Sequence, residues 1–598
     1  MDLQQLATAA SQHFADARPL IPMYIHIIVA ALFPIYTGAH ASLSRPSSAA
    51  KPTKKQRKDG DAADEEEDED EGVQKMEGLT PKDAIIFPIT AATALTGLYF
   101  LIKRYGASLI NLTLGWYFAA MGTISVAKLV NDGTNLLITF LLPTYFGHEG
   151  RLWKAVDNKQ YVAQDGSKET TTSPVPGSTY FTNKSHQWDT IWTLRAAVKQ
   201  KYTTKAYIHE FLNFKANLTP ISFLSVLFAC TSIAYAYLVA KPWWLTNLQG
   251  TAVCYSGLQI MSPTTFPTGS LILGGLFFYD IWAVFFTPLM VMVATNLDQP
   301  IKLVFPRPDR PSATAGEPPV KSYGMLGLGD IVLPGIMIGL ALRFDLYMFY
   351  LRKQQRRSVA NNDTSGIKDE VIKAPYVPVT CTWGDCFWTA NLPVSIRPKK
   401  LSASFPKPYF MASMVGYVMG MLTTLGVMSV WQHAQPALLY LVPGVLISLW
   451  GTGLVRGELK EMWQFSEAVT GEQLAEESEK EESEKGKDEK KADERSLFAK
   501  LWDETFGSSD DKTSKKDDDT DHIALSGDSK KSAKDGVKDD KPKAQNDGTL
   551  VAISVKRYKP RTATPTDKSL EKPSPAKSTL TPSDSSLEDA VLVNSADT

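Results

Sequence analysis

The chain has 598 residues, with 63 Lys and Arg against 64 Asp and Glu, a formal net charge of −1 and a pI near 6.7. This balance excludes the strong positive excess of a general nucleic-acid binder. The mean hydropathy of −0.14 is typical of a soluble protein only because polar segments are averaged with long apolar runs.

Nine apolar runs are long enough to cross a bilayer, whose core is about 30 Å thick and needs about 20 apolar residues. They are 19–37, 84–102, 107–128, 219–240, 245–262, 271–294, 324–342, 408–431 and 435–455. Asn247, Gln249 and Gln259 weaken the fifth, and 136–146 either extends the third or lies at the interface. We predict an all-α polytopic membrane protein with about nine transmembrane helices.

The first run differs from a cleaved signal peptide. Ala39-His40-Ala41 has the small-x-small form of a cleavage site, but Asp2 and Asp16 outweigh the lone Arg18 in the preceding stretch. We therefore expect an uncleaved first helix.

The polar segments define the domain organisation. Residues 1–18 form a short N-terminus, and a membrane domain spans 19–465, with long polar loops at 40–82 and 346–405. A mixed loop occupies 148–215. Residues 466–598 are rich in Lys, Asp, Glu, Ser and Thr, which predicts a disordered tail.

Basic residues near the helix ends set the orientation. The basic cluster at 51–58 predicts a cytosolic loop after the first helix, which puts the N-terminus in the lumen and the tail in the cytosol. The basic residues at 352–357 agree with this orientation. Lys302, Arg307 and Arg310 fall on the lumenal side, against the rule.

No metal site is expected from the cysteines. Cys381 and Cys386 flank a Thr-Trp-Gly-Asp loop with no His or further Cys nearby, and Cys230 and Cys254 lie in apolar runs.

Two acids inside the apolar runs are candidate functional residues, because charges in a bilayer are costly. Asp280 lies midway along the sixth run, and Asp330 lies in the first part of the seventh. Counted from the shared cytosolic side, their depths are about 14 and 18 Å at about 1.5 Å per residue. The two carboxyls are therefore expected to face one another near mid-membrane.

Such a pair supplies a hydrolytic mechanism. Two close carboxyls share one proton, so that one activates water and the other donates to a peptide carbonyl. Gly327 and Gly329 loosen the backbone, and an exposed strand edge beside Asp330 would hold a partly unwound substrate extended. Depth and charge alone favour a protease no more than an ion or proton conductor, and a non-catalytic adaptor for membrane helices is a third alternative.

Three short motifs, each on its own apolar run, separate these alternatives. Tyr279-Asp280, then Gly327-Leu328-Gly329-Asp330, then Gln435-Pro436-Ala437-Leu438 at the start of the last helix resemble the signatures of the presenilin and signal peptide peptidase superfamily. Longer stretches resemble the signal peptide peptidase branch: Pro300 to Pro306, Leu342-Arg343-Phe344-Asp345 and His433 to Pro443. The resemblance covers about 80–147 and 218–465.

The resemblance implies an intramembrane aspartyl endopeptidase with Asp280 and Asp330 as its catalytic pair. Tyr279, Gly327, Leu328, Gly329 and the Gln435 to Leu438 motif would shape the site or contact the substrate. Implied substrates are type II membrane helices, including remnant signal peptides, in the endoplasmic reticulum membrane. No metal, organic cofactor or nucleic acid is implied, and a homo-oligomer or membrane quality-control partners are possible.

Overall fold

The computed structural model describes residues 18–50, 76–156, 160–165, 167, 169–171, 185–200, 202–208, 212–287, 289–297, 299–307, 323–360, 367–380, 383–398, 401, 404–431, 435–467 and 551–557. Every described residue belongs to one compact unit, which lies within residues 1–558.

Thirteen α-helices are described within these ranges. They are α1 Ile21–Ala41, α2 Pro81–Tyr105, α3 Ala107–Leu141, α4 Ser185–Lys199, α5 Pro220–Leu238, α6 Trp243–Ile260, α7 Phe266–Phe285, α8 Leu289–Asn296, α9 Gly329–Arg352, α10 Trp383–Trp388, α11 Pro408–Trp431, α12 Leu438–Arg456 and α13 Leu459–Gln464.

The strands are short and form five separate sheets. They are β1 Glu77–Leu79, β2 Tyr145–His148, β3 Arg151–Val156, β4 Gln160–Ala163, β5 Thr170–Thr171, β6 Tyr202–Ile208, β7 Leu212–Leu218, β8 Met261–Pro263, β9 Lys302–Pro306, β10 Tyr323–Gly327, β11 Gln355–Ala360, β12 Ile367–Ile372 and β13 Val551–Arg557. The sheet orders are β1-β8, β10-β9, β11-β12, β13-β6-β7 and β2-β3-β4-β5, and only β1-β8 is parallel.

The prediction of an all-α polytopic membrane protein is confirmed. Eight described helices are long and apolar enough to span a bilayer: α1, α2, α3, α5, α7, α9, α11 and α12. The fifth predicted span, 245–262, corresponds to α6, which forms an 18-residue helix but carries the polar residues noted above. Residues 136–141 extend the third helix, since α3 continues to Leu141, whereas Tyr145 and Phe146 belong to β2.

The seventh span begins later than its apolar pattern predicts. Residues Tyr323–Gly327 form β10 rather than the first turns of a helix, and α9 runs from Gly329 to Arg352. Glycine is a poor helix former, and here three glycines fall within six residues, at 324, 327 and 329. The helix also ends later than predicted. Because α9 runs to Arg352, the polar loop predicted from 346 starts only after that residue, and it contains the β11–β12 hairpin and α10.

Several spans begin where a side chain satisfies the free N–H groups of the first turn. The Thr80 N–H donates to Asp83 Oδ2 over 2.8 Å in a capping box that starts α2. The side chains of Thr219 and Thr265 start α5 and α7, each accepting from a backbone N–H at 3.2 Å.

Helix α9 occupies the centre of the membrane domain. In its most apolar 18-residue stretch, 83% of the residues are buried, against 6% in the peripheral α2. It packs against α1, α6, α7, α11 and α12. The residues at both ends of α9 are therefore held by several neighbouring helices.

Helices α11 and α12 form a close antiparallel pair beside α9. A Cβ on Gly416 would lie 2.3 Å from the Gly444 carbonyl oxygen, and one on Gly420 would lie 2.7 Å from that of Tyr440. Small residues four apart let membrane helices approach this closely. This contact fixes the start of α12 relative to α9.

Part of the predicted mixed loop 148–215 is ordered. Strands β2 to β5 pack with α4, and Tyr161 donates to the Pro143 carbonyl over 2.8 Å while Arg195 donates to the same oxygen over 3.0 Å. Asp385 joins this lobe to α10 by accepting the Thr144 N–H at 2.7 Å.

One segment of the predicted disordered tail is a strand. Val551–Arg557 has a β-branched apolar residue at positions 551, 553 and 555, as one face of a strand does, and pairs with β6. Other predictions lie outside the described residues: the N-terminus before Arg18, the cluster at 51–58, Cys381, His433, and the tail at 468–550 and 558–598.

Candidate active site

Asp280 lies on α7 and contacts the start of α12. Its side chain is buried, with 5% of its surface exposed. Its Oδ2 accepts the Leu438 N–H over 3.1 Å, and Leu438 is the first residue of α12. Because the first N–H groups of a helix have no partner within the helix, the Asp280 carboxyl serves as a cap for α12. The Tyr279-Asp280 and Gln435 to Leu438 motifs therefore meet through this hydrogen bond.

Asp330 lies in the first turn of α9 and is half-buried. Its backbone carbonyl accepts from the Tyr417 hydroxyl over 3.2 Å, which ties it to α11. A Cβ on Gly327 would lie 3.1 Å from Asp330 Oδ2, so β10 passes directly beside the carboxyl.

The two acids stand on neighbouring helices. Helices α7 and α9, which carry Asp280 and Asp330, pack against each other. Within the described part of the chain, neither acid forms an ion pair with a Lys, Arg or His. The pair thus lacks a cation that would neutralise it.

The backbone before Asp330 is held by hydrogen bonds, and there is open space beside Gly329. Leu328 donates its N–H to the Ile301 carbonyl over 3.1 Å and accepts from the Val332 N–H at 2.9 Å. A Cβ on Gly329 would meet only Leu333 Cδ1, at 3.8 Å. Tyr279 is half-buried, and its ring centroid lies 6.4 Å from that of Trp282.

The start of α12 supplies the third motif. Pro436 is buried, and its carbonyl accepts the Leu439 N–H at 3.3 Å. The Ala437 carbonyl accepts the Leu441 N–H at 3.1 Å, which begins the regular helix. Gln435 is half-buried just before this turn. The short turn directs the Leu438 N–H towards Asp280.

The sheet beside Asp330 has one occupied edge and one open edge. Asn247 on α6 donates to the Val304 carbonyl over 2.8 Å and accepts the Val304 N–H at 2.7 Å, so it occupies the outer edge of β9. Val304 is paired with Met325, and backbone groups alternate in direction along an antiparallel ladder. The N–H and C=O groups of Met325 therefore point away from β9, and no described strand pairs with them.

Two contacts of this site were missed from the sequence. Tyr417 donates to the backbone carbonyl of Asp330, and Asn247 holds β9, the strand that pairs with β10, but neither residue lies in a recognisable motif. Tyr417 stands in an apolar run as any core tyrosine does. Asn247 was noted only as an interruption of the fifth span, and its polarity was the one available signal.

The arrangement fits proton transfer to and from a peptide bond held along β10. An acid pair without a neutralising cation holds one proton between its members, and the open space at Gly329 leaves room at the carboxyls. Among the described residues, no group of three or more His, Cys, Asp or Glu side chains is arranged to hold a metal ion.

Comparisons with known proteins identify the family of the chain. The family model described as signal peptide peptidase matches residues 70–469. The chain belongs to the signal peptide peptidase family. It is 28% identical to the signal peptide peptidase of Mus musculus over 406 residues, which is 68% of this chain and 78% of the mouse protein.

Other relatives in this family agree. The chain is 27% identical to the Homo sapiens signal peptide peptidase over 394 residues, covering 66% of this chain and 75% of the human one. It is 25% identical to a probable intramembrane protease of Saccharomyces cerevisiae over 490 residues, covering 76% and 74%. Membership in the signal peptide peptidase family supports intramembrane proteolysis by a multi-pass membrane protein.

Proposed function

We propose that the chain is an intramembrane aspartyl endopeptidase in which Asp280 and Asp330 form the catalytic pair. The observations that support this proposal are the packing of α7 against α9, which carry the two acids, and the hydrogen bond from the start of α12 to Asp280. Within the described residues, neither acid forms an ion pair with a cation. Capping the start of α12 requires only one of the two carboxyls. Two interacting acids are required for hydrolysis by shared proton transfer.

The chemistry follows from one proton held between the two carboxyls. The ionised member removes a proton from water, whose oxygen attacks the peptide carbonyl carbon. The protonated member donates to the carbonyl oxygen, which gives a tetrahedral diol. Collapse of the diol breaks the C–N bond, and a proton passes to the leaving nitrogen.

The open edge of β10 is suited to presenting the scissile bond. A substrate helix hides its carbonyls in its own hydrogen bonds, so a segment must unwind before attack. The outward N–H and C=O of Met325 can bond such a segment as an added strand. Gly327, at the end of the same strand, lies next to the Asp330 carboxyl.

The proposed substrates are type II membrane helices, including signal peptides that remain after their precursor is cut. The basic cluster at 51–58 supports a lumenal N-terminus and a cytosolic tail. Relatives named signal peptide peptidase support the substrate class and the endoplasmic reticulum as the working membrane. In this orientation β9, β10 and the start of α9 lie towards the lumenal side.

The test is cleavage of a synthetic type II membrane peptide by the purified full-length protein in nanodiscs. We expect Asp280→Asn and Asp330→Asn each to lower kcat/KM by at least about a thousandfold, because each removes one half of the proton relay. The melting temperature should stay near that of the wild type. A hydroxyl-bearing mimic of the tetrahedral diol should inhibit the wild type.

Asp345→Asn is the matched control, because Asp345 is a third buried acid, on the same helix as Asp330. This variant should still cleave the peptide. Near-wild-type cleavage by either Asp280→Asn or Asp330→Asn in a folded protein would refute the catalytic pair. Such a result would favour a conductor or an adaptor instead.

A further inference from the structure

The first turn of α9 contains a backbone carbonyl that its own helix cannot bond in the usual way. In an α-helix the carbonyl of one residue accepts the N–H of the residue four positions later. Four positions after Asp330 stands Pro334, which lies inside α9 and has no N–H. The ring of a proline inside a helix also presses on that same carbonyl. The Asp330 carbonyl therefore lacks its ordinary helical donor.

The Tyr417 hydroxyl takes the place of this missing donor. It donates to the Asp330 carbonyl oxygen over 3.2 Å from the neighbouring helix α11. Tyr417 is fully buried, so its hydroxyl is held in the protein interior. A buried carbonyl without a partner destabilises the structure around it. The hydroxyl thus satisfies a backbone group that Pro334 leaves open.

The same stretch of α11 also holds the start of α12. A Cβ on Gly420 would lie 2.9 Å from Leu441 Cα, so the two backbones touch within the first turn of α12. That turn begins with Leu438, whose N–H donates to Asp280 Oδ2 over 3.1 Å. Gly420 follows Tyr417 by three residues, which is less than one turn of α11. Helix α11 therefore contacts the backbone that carries one acid and the helix end that the other acid caps.

The local sequence at the start of α9 makes this contact important. Gly329 directly precedes Asp330, and a Cβ at Gly329 would meet only Leu333 Cδ1, at 3.8 Å. Glycine has the most freely rotating backbone of all residues, and little packs against this one. Without the Tyr417 contact, the peptide unit after Asp330 is free to tilt. A misplacement of about 1 Å at a reacting group can lower the rate by as much as about a hundredfold.

We infer that Tyr417 is a positioning residue for Asp330, acting through the carbonyl that Pro334 leaves without a helical donor. The inference rests on the proposed function and deepens it. Tyr417 takes no part in proton transfer. By fixing the carbonyl, its hydroxyl fixes the peptide plane of Asp330 and the direction of the bond that carries the carboxyl. It thereby sets the alignment of this carboxyl with that of Asp280.

The first part of the test is removal of the hydroxyl. Tyr417→Phe deletes one oxygen atom and keeps the buried ring. With the synthetic type II peptide in nanodiscs, we expect kcat to fall about tenfold while KM stays within about twofold. The reason is that the peptide still binds along β10 but the two acids are misaligned. Binding of the hydroxyl-bearing mimic should weaken by a similar factor, because the mimic resembles the transition state.

The second part of the test makes the hydroxyl dispensable. Pro334→Ala supplies an N–H at the position where α9 can bond the Asp330 carbonyl itself, and this variant should remain an active protease. In the Pro334→Ala background, Tyr417→Phe should lower kcat by less than about twofold, against tenfold when the proline is present. Such non-additivity is expected only of two residues that act on the same group. Melting temperatures of all four proteins should show the same coupling.

Two control variants separate this effect from a general loss of packing. Tyr409 is also buried on α11, but its hydroxyl donates to Glu458 Oε2 over 2.8 Å near the other end of that helix. Tyr409→Phe should keep its kcat, and any loss of melting temperature should be the same with and without Pro334→Ala. Pro88→Ala removes a proline from inside the peripheral α2 and should not restore the activity of Tyr417→Phe.

The outcomes separate this inference from the proposed function. A wild-type kcat in Tyr417→Phe, or an equal loss with and without Pro334→Ala, overturns the inference while the protease stands. A folded Pro334→Ala protein that does not cleave also overturns it, because the proline would then do more than remove an N–H. If the wild type cleaves no peptide, the proposed function itself is contradicted, and the melting temperatures alone would report the coupling of Tyr417 with Pro334.

Discussion

The charged residues in the two halves of α9 differ in how many hydrogen-bond and ion-pair partners they have. At the C-terminal half, Arg343 donates to Ser42 Oγ over 2.8 Å and to Ser262 Oγ over 2.6 Å, and it is paired with Glu467. Asp345 accepts the N–H groups of Tyr409 and Phe410 at 3.3 and 3.0 Å. At the other end, Asp330 has no described cationic partner, and β10 beside it has an open edge.

This difference separates structural acids from candidate catalytic ones. Both oxygens of Asp345 are occupied by the free N–H groups at the start of α11, as in a helix cap supplied by another helix. Asp280 also caps a helix, but among the described residues only its Oδ2 accepts a hydrogen bond, and its helix packs against the one that carries Asp330. A buried charge that is fully satisfied serves the fold, whereas a buried pair left without a cation is available for chemistry.

The largest loss of stability is expected on replacing Asp345, because both of its oxygens accept hydrogen bonds. Asp345→Ala leaves two buried N–H groups without an acceptor, so the free energy of unfolding should fall by about 3 kcal/mol. Thermal denaturation of the purified protein measures this. Asp83→Ala, which removes the side-chain cap of the peripheral α2, is the control and should cost about 1 kcal/mol. If the Asp345→Ala variant is no less stable than Asp83→Ala, the two ends of α9 do not differ as argued.

A substitution beside the start of α9, where β10 has an open edge, should lower the cleavage rate rather than the stability. Gly327→Val adds a branched side chain whose Cβ would lie 3.1 Å from Asp330 Oδ2, on the path proposed for the substrate strand. We expect kcat/KM for the type II peptide to fall about a hundredfold, with little change in melting temperature because valine favours strands. The measurement is cleavage of the synthetic type II membrane peptide.

Gly426→Val is the matched control for this substitution. A Cβ at Gly426 on α11 meets nothing within 4 Å, so the added volume is harmless there. The control should keep most of its activity. Unchanged cleavage by the Gly327→Val variant would contradict the idea that β10 delivers the scissile bond to Asp330.

Much of the fold could be predicted because apolar run length is a strong signal. The sequence analysis was less accurate where glycines or strand pairing determine the local structure. Residues 324–328 are apolar enough to join the seventh span, but their glycines and the facing Lys302–Pro306 segment favour a two-stranded sheet. The lobe built on β2 to β5 lacks a long apolar run, so its sequence resembled a loop.

The candidate site was predictable as a set of motifs but not as a geometry. The sequence indicated that Asp280, Asp330 and the Gln435 to Leu438 motif belong together, but not that the Leu438 N–H donates to Asp280. Asp330 and Asp345 lie on the same helix, and charge alone did not distinguish them. Only the partners of each carboxyl, from helices distant in sequence, reveal the difference.

The smallest expected effect concerns the junction between the membrane domain and the tail. Glu467 is paired with Arg343, accepts from Ser262 Oγ at 2.5 Å, and donates its N–H to the Thr264 carbonyl over 2.8 Å. Glu467→Gln keeps the backbone bond and removes the charge, so Arg343 loses its ion pair, although the amide oxygen of Gln can still accept one hydrogen bond. We expect a loss of about 1 to 2 kcal/mol in unfolding free energy and less than a twofold change in cleavage rate. Arg352→Gln, at an exposed ion pair with Glu458, should cost less than about 0.5 kcal/mol. A large loss of cleavage by a stable Glu467→Gln protein would mean that this junction controls the distant acids, and the two ends of α9 would then act as one unit.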